Sequence, residues 1–304
     1  WPSGNAEFMA SQSTTKTAIV TASFGPDFER CRLLCETIDR HVTGYTCHYI
    51  LVETADVPLF KALETPRRKV IDEKELLPRW LRPFPDPFYL GKRRIWLSFR
   101  TLPLRGWHAQ QLRRMAVAEK LDEDAFFYID SDVAFLRPFD CASLWRGNDL
   151  RLFRRDDELK SKVPGDQHLW AANAGLLLGI QENEITPHGY VGTLIAWRRD
   201  RMLGMCRRME EVSGSHWVEA IGKSRRFSEC TIYGQYAEVL KKLEGHFIDT
   251  RDFCEVFWFA PAPTAQEFAA RVKALKPEQV AIGVQSFIGA DISYVRDLVS
   301  KATL

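Results

Sequence analysis

The sequence predicts an α/β fold: a mostly parallel, Rossmann-like sheet flanked by helices, with a proline-, aromatic- and arginine-rich insertion. Two observations carry this expectation. A strand, helix, strand series opens the chain over residues 17 to 54, and apolar runs then alternate with amphipathic ones to the C-terminus. No internal repeat or low-complexity linker divides the chain, so residues 17 to 304 read as a single domain.

The first strand is TAIVTASF, residues 17 to 24, which stops at Gly25-Pro26. An amphipathic helix follows through Phe28, Leu33, Leu34 and Ile38, and CHYILVET, residues 47 to 54, is the second strand. In such an order ligands gather at the C-terminal ends of the strands. Residues 78 to 107 hold five prolines among many aromatic and basic side chains, so a long functional loop or insertion, bounded at about 58 to 107, is expected there.

HAQQLRRMAVAEKL, residues 108 to 121, is a strong helix, and DEDAFFYID then turns into a strand of about five apolar residues ending on acid. Beyond it, residues 170 to 180 (WAANAGLLLGI) read as a buried strand and residues 190 to 212 as the entry to a long helix. A further helix over residues 228 to 243, the strand HFIDT and the aromatic segment FCEVFWF precede a closing alternation of helix and strand.

Composition narrows the function classes. With 45% hydrophobic and 27% charged residues the chain has ordinary globular usage, which excludes a disordered or fibrous protein. A net charge of +2 on 42 basic and 40 acidic residues gives no overall field for nucleic acid, which is not expected as a partner. No apolar run reaches the roughly 18 to 20 residues needed to span a bilayer, and no signal-peptide pattern precedes the first strand, so a cytoplasmic location is expected. The seven cysteines are odd in number and lack CxxC pairs, as reduced thiols would be. WPSGNAEF, ahead of Met9, reads as vector-encoded, and residues 10 to 16 as a frayed terminus.

The chemistry concentrates at Asp130-Ser131-Asp132. The spacing alone is uninformative, because Asp122-Glu123-Asp124 repeats it in what reads as a surface turn. Context separates the two: AFFYI before and VAF after the second pair are apolar, and a carboxylate in such surroundings is costly unless paired or metal-bound. Two readings stand: a turn in which Asp130 and Asp132 cap backbone N–H groups, or a site for Mn²⁺ or Mg²⁺, which need only one or two protein carboxylates beside water and substrate phosphate.

YIDSDVAF at the end of an apolar strand, preceded by the helix WHAQQLRRMAVAEKL, resembles the DxD segment of GT-A-type glycosyltransferases. TAIVTASFGPDFERC is similar to their first nucleotide-binding unit, and AANAGLLLG to a later strand carrying Asn-x-Gly; the likeness spans roughly residues 17 to 250. The set GWHAQQLRRM, YIDSDVAF, HGYVGTLIAW and FSECTIYGQY more narrowly resembles a group of bacterial glycosyltransferase-like proteins from polysaccharide loci. Residues 58 to 107 match no GT-A motif. The resemblance implies a metal-dependent transfer of a sugar from a nucleotide diphosphate, UDP first, to a hydroxyl acceptor that is a saccharide or lipid-linked. The alternatives are a non-catalytic carbohydrate-binding protein and a metal-dependent nucleotidyltransferase or phosphohydrolase.

The same resemblance distributes roles. Asp130 and Asp132 hold the metal, with His246 the nearest candidate for a third ligand, and Ser131 lies between them at the donor. Thr21, Ala22 and Ser23 line the base or ribose, and Asp27 or Glu53 accepts from it. Gln111 and Arg114 reach the donor from the helix before the metal strand, an arginine there suiting a bidentate grip on diphosphate, while Arg113 falls on an adjoining, solvated face. Glu229, in the first turn of a helix behind the N-cap Ser228, is the expected base for the acceptor hydroxyl, or else a capping acid. His188 competes for that role, and Asn173 positions a sugar. The aromatic and basic insertion suits a lid over sugars or contact with an anionic lipid-linked acceptor, which leaves peripheral attachment at the inner membrane face open.

Overall fold

A computed structural model of the chain describes residues 15–89, 93–160 and 163–302. Its centre is a five-stranded sheet in the order Leu194–Arg198, Ala125–Ile129, Thr17–Ala22, His48–Val52, Arg68–Asp72. Four of these strands run parallel, and only the Leu194–Arg198 edge is antiparallel. The chain builds outward from Thr17–Ala22 through His48–Val52 to Arg68–Asp72, then returns to place Ala125–Ile129 on the other side of the first strand. That reversal makes the C-terminal ends of Thr17–Ala22 and Ala125–Ile129 a topological switch point, the place at which open α/β sheets form the crevice that takes ligands.

Strand alternation sorts the core into two layers. Ala18, Val20, Phe126 and Tyr128 face the helix Gly106–Lys120, packing with Leu112 and Met115. Ile19, Phe127 and Ile129 face the other way, onto Leu34 and Ile38 of the helix Phe28–His41. A helix on each face of a parallel sheet explains why these strands are apolar throughout rather than alternating.

Several sequence expectations change here. Residues 170 to 180 do not form a strand: Asp166–Leu178 is a helix, closed by Gly179 in the left-handed conformation at φ 65°. The run is rich in the helix formers Ala and Leu and has no β-branched residue before Ile180, and Gly179 is the stop signal. The expected helix from residue 190 is instead the edge strand Leu194–Arg198 followed by the helix Arg199–Ser213. Arg68–Asp72, inside the span expected as insertion, belongs to the central sheet; as an edge strand, RKVID carries too much charge to read as one. The insertion proper contains a small antiparallel sheet of Arg82–Pro85, Arg94–Leu97 and Leu104–Arg105.

The vector-encoded reading of WPSGNAEF lies outside the described residues. Of the stretch 10 to 16 expected to fray, residues 10 to 14 also lie outside them, while Lys16 is held, its backbone N–H donating to Asp124 Oδ2 at 2.7 Å. The second acidic pair is thereby accounted for: Asp124 holds the start of the first strand, and Asp122 is exposed beside Arg199, at the sheet end away from the crevice. Among the described residues no helix is long and apolar enough to cross a membrane.

Candidate functional site

Ala125–Ile129 is buried along its whole length, and the chain leaves it through a turn in which the Val133 N–H donates to the Asp130 carbonyl at 3.3 Å. The turn delivers the chain into Val133–Phe135, which pairs with Ala281–Val284. Asp130 and Asp132 therefore sit at a junction between two sheets. Asp130 keeps 32% of its side-chain surface open to solvent, yet burial still raises its carboxyl above the ordinary value, against the pull of Arg114. A recessed carboxylate that solvent reaches is what a ligand crevice produces.

Arg114 organises this side of the crevice. Its Nη1 lies 3.6 Å from Asp130 Oδ1 and 3.2 Å from Glu229 Oε1, so one guanidinium spans a strand-end acid and a helix-start acid 99 positions apart. The cation is held over the Tyr128 ring at 4.9 Å and the Trp197 ring at 5.6 Å, and the Tyr128 hydroxyl donates to the Arg114 carbonyl at 2.8 Å. Its two acidic neighbours raise the Arg114 pKa despite burial, and Glu229, itself raised by burial, is drawn back toward the ionised state by Arg114. Arg114 Nε is buried and has no hydrogen-bond partner.

Glu229 opens the helix Glu229–Gln235. Ser228 occupies the N-cap in extended conformation but makes no side-chain cap bond. The acceptor comes from elsewhere: Gln111 Oε1 takes the Glu229 backbone N–H at 2.9 Å. Gln111 is itself buried, and its Nε2 has no partner. Sequence-expected residues Asp130, Gln111, Arg114 and Glu229 thus meet at one place.

Asp132 forms the other side with Asp27, which the sequence singled out, and with Arg30 and Ser286, which it did not. Its Oδ2 accepts the Ser286 N–H at 3.0 Å, while Oδ1 is buried with no partner. Arg30, anchored by donating to the Ala290 carbonyl at 2.6 Å, lies near Asp132 and 3.8 Å from Asp27. Burial first, and then the neighbouring charge of Asp130, push the Asp132 carboxyl up to about 7. Arg30 gave one weak signal, a cation on the face of the Phe28–His41 helix that packs inward; Ser286 gave none.

The remaining expectations divide. Ser131 is buried within the turn. Ser23 lies at the C-terminal end of the first strand, buried, its Oγ beside the Cys31 thiol and otherwise unpartnered. Ala22 packs into the core. Thr21 is displaced from the crevice: it is fully buried, and its Oγ1 meets His48 Nε2 at 3.0 Å. Because His48 Nδ1 accepts from Arg68 Nε at 3.2 Å, Nε2 carries the proton and donates to Thr21. Glu53 is at a strand end but paired with Arg94 of the insertion at 3.1 Å. Arg113, expected to be solvated, is buried 3.8 Å from Glu73, whose carboxylate also accepts the Trp96 indole N–H at 3.2 Å. Burial pushes the Glu73 carboxyl up to about 7.

His188 accepts the Asp157 N–H on Nδ1 at 3.0 Å and turns Nε2 toward Glu238 at 3.6 Å. It lines a small pocket with Thr231 of the Glu229–Gln235 helix. Asn173, on the helix Asp166–Leu178, is half-buried with Nδ2 unpartnered. His246 is removed from the acidic pair. It bonds the Tyr233 hydroxyl at 2.8 Å, that hydroxyl also takes the Arg198 N–H, and Arg198 pairs with Ala125, at the start of the strand that Asp130 follows. Four residues of strand, about 13 Å, separate those ends. Burial and Arg198 lower the His246 pKa to about 4, leaving a neutral core histidine.

The donor set suits a hard divalent cation in one respect: two neighbouring carboxylates, one with a buried free oxygen. Among the described residues no group of three or more His, Cys, Asp or Glu side chains converges for a metal, so further ligands would have to come from substrate or water. Among curated proteins none matches the chain. Residues 15–296 match DUF6492, a family of unknown function, and the chain belongs to that family.

Proposed function

We propose that the chain is a metal-dependent glycosyltransferase with a GT-A-type fold, moving a sugar from a nucleotide diphosphate, UDP first, to the hydroxyl of a saccharide or lipid-linked acceptor. The observation that carries this reading is Arg114 poised between Asp130 and Glu229 at the C-terminal end of a parallel strand. Around it, buried polar atoms without partners, Gln111 Nε2, Arg114 Nε and Asp132 Oδ1, offer two donors and an acceptor to an incoming polar ligand.

In this reading Asp130 and Asp132 hold Mn²⁺ or Mg²⁺, which when bound neutralises charge on the departing diphosphate. Asp132 is aimed by the Ser286 N–H, and Asp130 by Arg114. Glu229, kept in place by the cap from Gln111, accepts the proton of the acceptor hydroxyl, and its elevated affinity for protons suits that task. Asn173 Nδ2, buried without a partner, is a free donor for a hydroxyl of the donor or acceptor sugar.

The test is a nucleotide-sugar cleavage screen with and without Mn²⁺, on the native protein, Asp132→Ala and Asp122→Ala. Release of nucleoside diphosphate is expected, dependent on the metal, lowered about 100-fold or more by Asp132→Ala and unchanged by Asp122→Ala. Equal turnover in Asp132→Ala defeats the assignment. Nucleoside monophosphate with pyrophosphate would replace it by nucleotidyl transfer, and metal-dependent binding of UDP without turnover by a binding protein.

A further inference from the structure

The insertion presents a surface that the proposed chemistry does not use. In its antiparallel sheet, cross-strand partners share a face. Trp96 and Leu104, opposite one another, are fully buried toward the Gly106–Lys120 helix. The register Arg82↔Leu97, Phe84↔Ile95 and Ile95↔Arg105 assembles the opposite face: Phe84, Ile95 and Leu97 flanked by Arg82 and Arg105. Phe84 is 45% exposed and Leu97 39%, large apolar side chains left open to solvent among the described residues. Beyond the strand ends, Phe88 is 84% exposed, and Arg93 lies over the Tyr89 ring at 4.6 Å.

Charge says what covers this face. Residues 78 to 107 contain seven Arg and Lys against one acid, so they carry +6 in a chain whose total is +2. That acid, Asp86, is buried and accepts the Phe88 N–H at 3.0 Å. Arg94 and Arg100 are spoken for by Glu53 and Glu219, but Arg82, Arg93 and Arg105 have no carboxylate partner among the described residues. Exposed Phe and Leu interleaved with unpaired Arg match the two strata of a lipid interface, acyl boundary and anionic headgroup, with the long arginine stems lying along the apolar layer.

We propose that this face docks the protein on an anionic lipid bilayer, with Phe84, Leu97 and Phe88 entering the headgroup boundary and Arg82, Arg93 and Arg105 contacting the headgroups. The proposal stands apart from glycosyl transfer and would hold for any chemistry at Asp130. The strand Leu104–Arg105 runs directly into the helix that carries Gln111 and Arg114, and Trp107, 48% exposed, stacks at 6.4 Å on Phe227, two residues before Glu229. A docked face would therefore hold the crevice close to the membrane.

Co-sedimentation with phosphatidylglycerol-containing and pure phosphatidylcholine vesicles, without any sugar donor, tests this. At low salt the affinity for the anionic vesicles should exceed that for the neutral ones at least tenfold and should fall as salt is raised. Arg82→Glu combined with Arg93→Glu should lower it at least tenfold, as should Phe88→Ser with Phe84→Ser, while Arg82→Lys with Arg93→Lys keeps it; circular dichroism checks folding, and donor cleavage in solution should be unchanged. Equal binding to both vesicles, no binding at low salt, full binding by the charge-reversed variant, or retention by single-stranded RNA instead of vesicles would each overturn the proposal.

Discussion

The side chain of Gln111 caps the backbone N–H of Glu229 at 2.9 Å, tying the helix before the acidic strand to the helix that Glu229 opens. Ser228, though in the N-cap position, does not perform this task. Gln111→Ala should therefore lower unfolding stability by about 1 kcal/mol, the ordinary worth of a lost cap, as read by chemical denaturation. Ser228→Ala should cost markedly less.

Removing the Arg114 cation leaves Asp130 and Glu229 without their shared counter-charge. Arg114→Met is expected to destabilise by about 3 kcal/mol or more, and the double variant with Glu229→Gln to recover part of that loss. Arg114→Lys should not substitute, because an ammonium cannot lie between Tyr128 and Trp197 while reaching both acids. Urea titrations of the four proteins decide this.

Glu73 predicts a pH dependence away from the crevice. Its folded-state pKa of about 7 lies above the ordinary 4.5, so between those values the folded protein holds a proton that the unfolded chain has released. Stability contributed by this group is present at low pH and is lost as pH rises from about 5 to 8, by up to about 3 kcal/mol. Glu73→Gln, which keeps the hydrogen-bonding shape without the charge, should flatten that part of the stability profile.

His246 serves as a control on the metal assignment. His246→Gln should leave any Mn²⁺-induced rise in Tm unchanged, whereas Asp132→Ala should abolish it. Losing the Tyr233 hydroxyl's partner should cost His246→Gln about 1 kcal/mol in stability. A histidine variant that loses its response to the metal would restore His246 to the site.

Much of this arrangement was legible locally. AFFYI ending on acid marks a buried strand meeting a crevice, and a glutamate after serine marks a helix start, so Asp130 and Glu229 could be read without knowing what lies between them. Arg113 was not legible, because helical spacing alone leaves its face open to solvent; the insertion covers that face and buries the arginine against Glu73. Ser286 and Arg30 escaped for another reason. Their partners are set by tertiary pairing across more than 150 and 250 positions, which leaves no periodicity in either segment. His246 was not legible either, because its distance from the acidic pair is set by its strand pairing with Leu150 and its bond to Tyr233, neither of which residue type reveals.

The bond from Ser286 to Asp132 also bears on when the site comes into being. During synthesis the first strand, the helix bearing Gln111 and Arg114, and the Asp130 turn emerge early, and Glu229 completes their grouping. Asp132 gains its backbone donor only after some 150 further residues have left the ribosome and Ala281–Val284 has paired beside Val133–Phe135. A chain stopped short of that strand would carry an acidic pair with one member unanchored. The segment around Ser286 thus acts as a checkpoint on the acidic pair, which is fully anchored only once that segment has folded beside it.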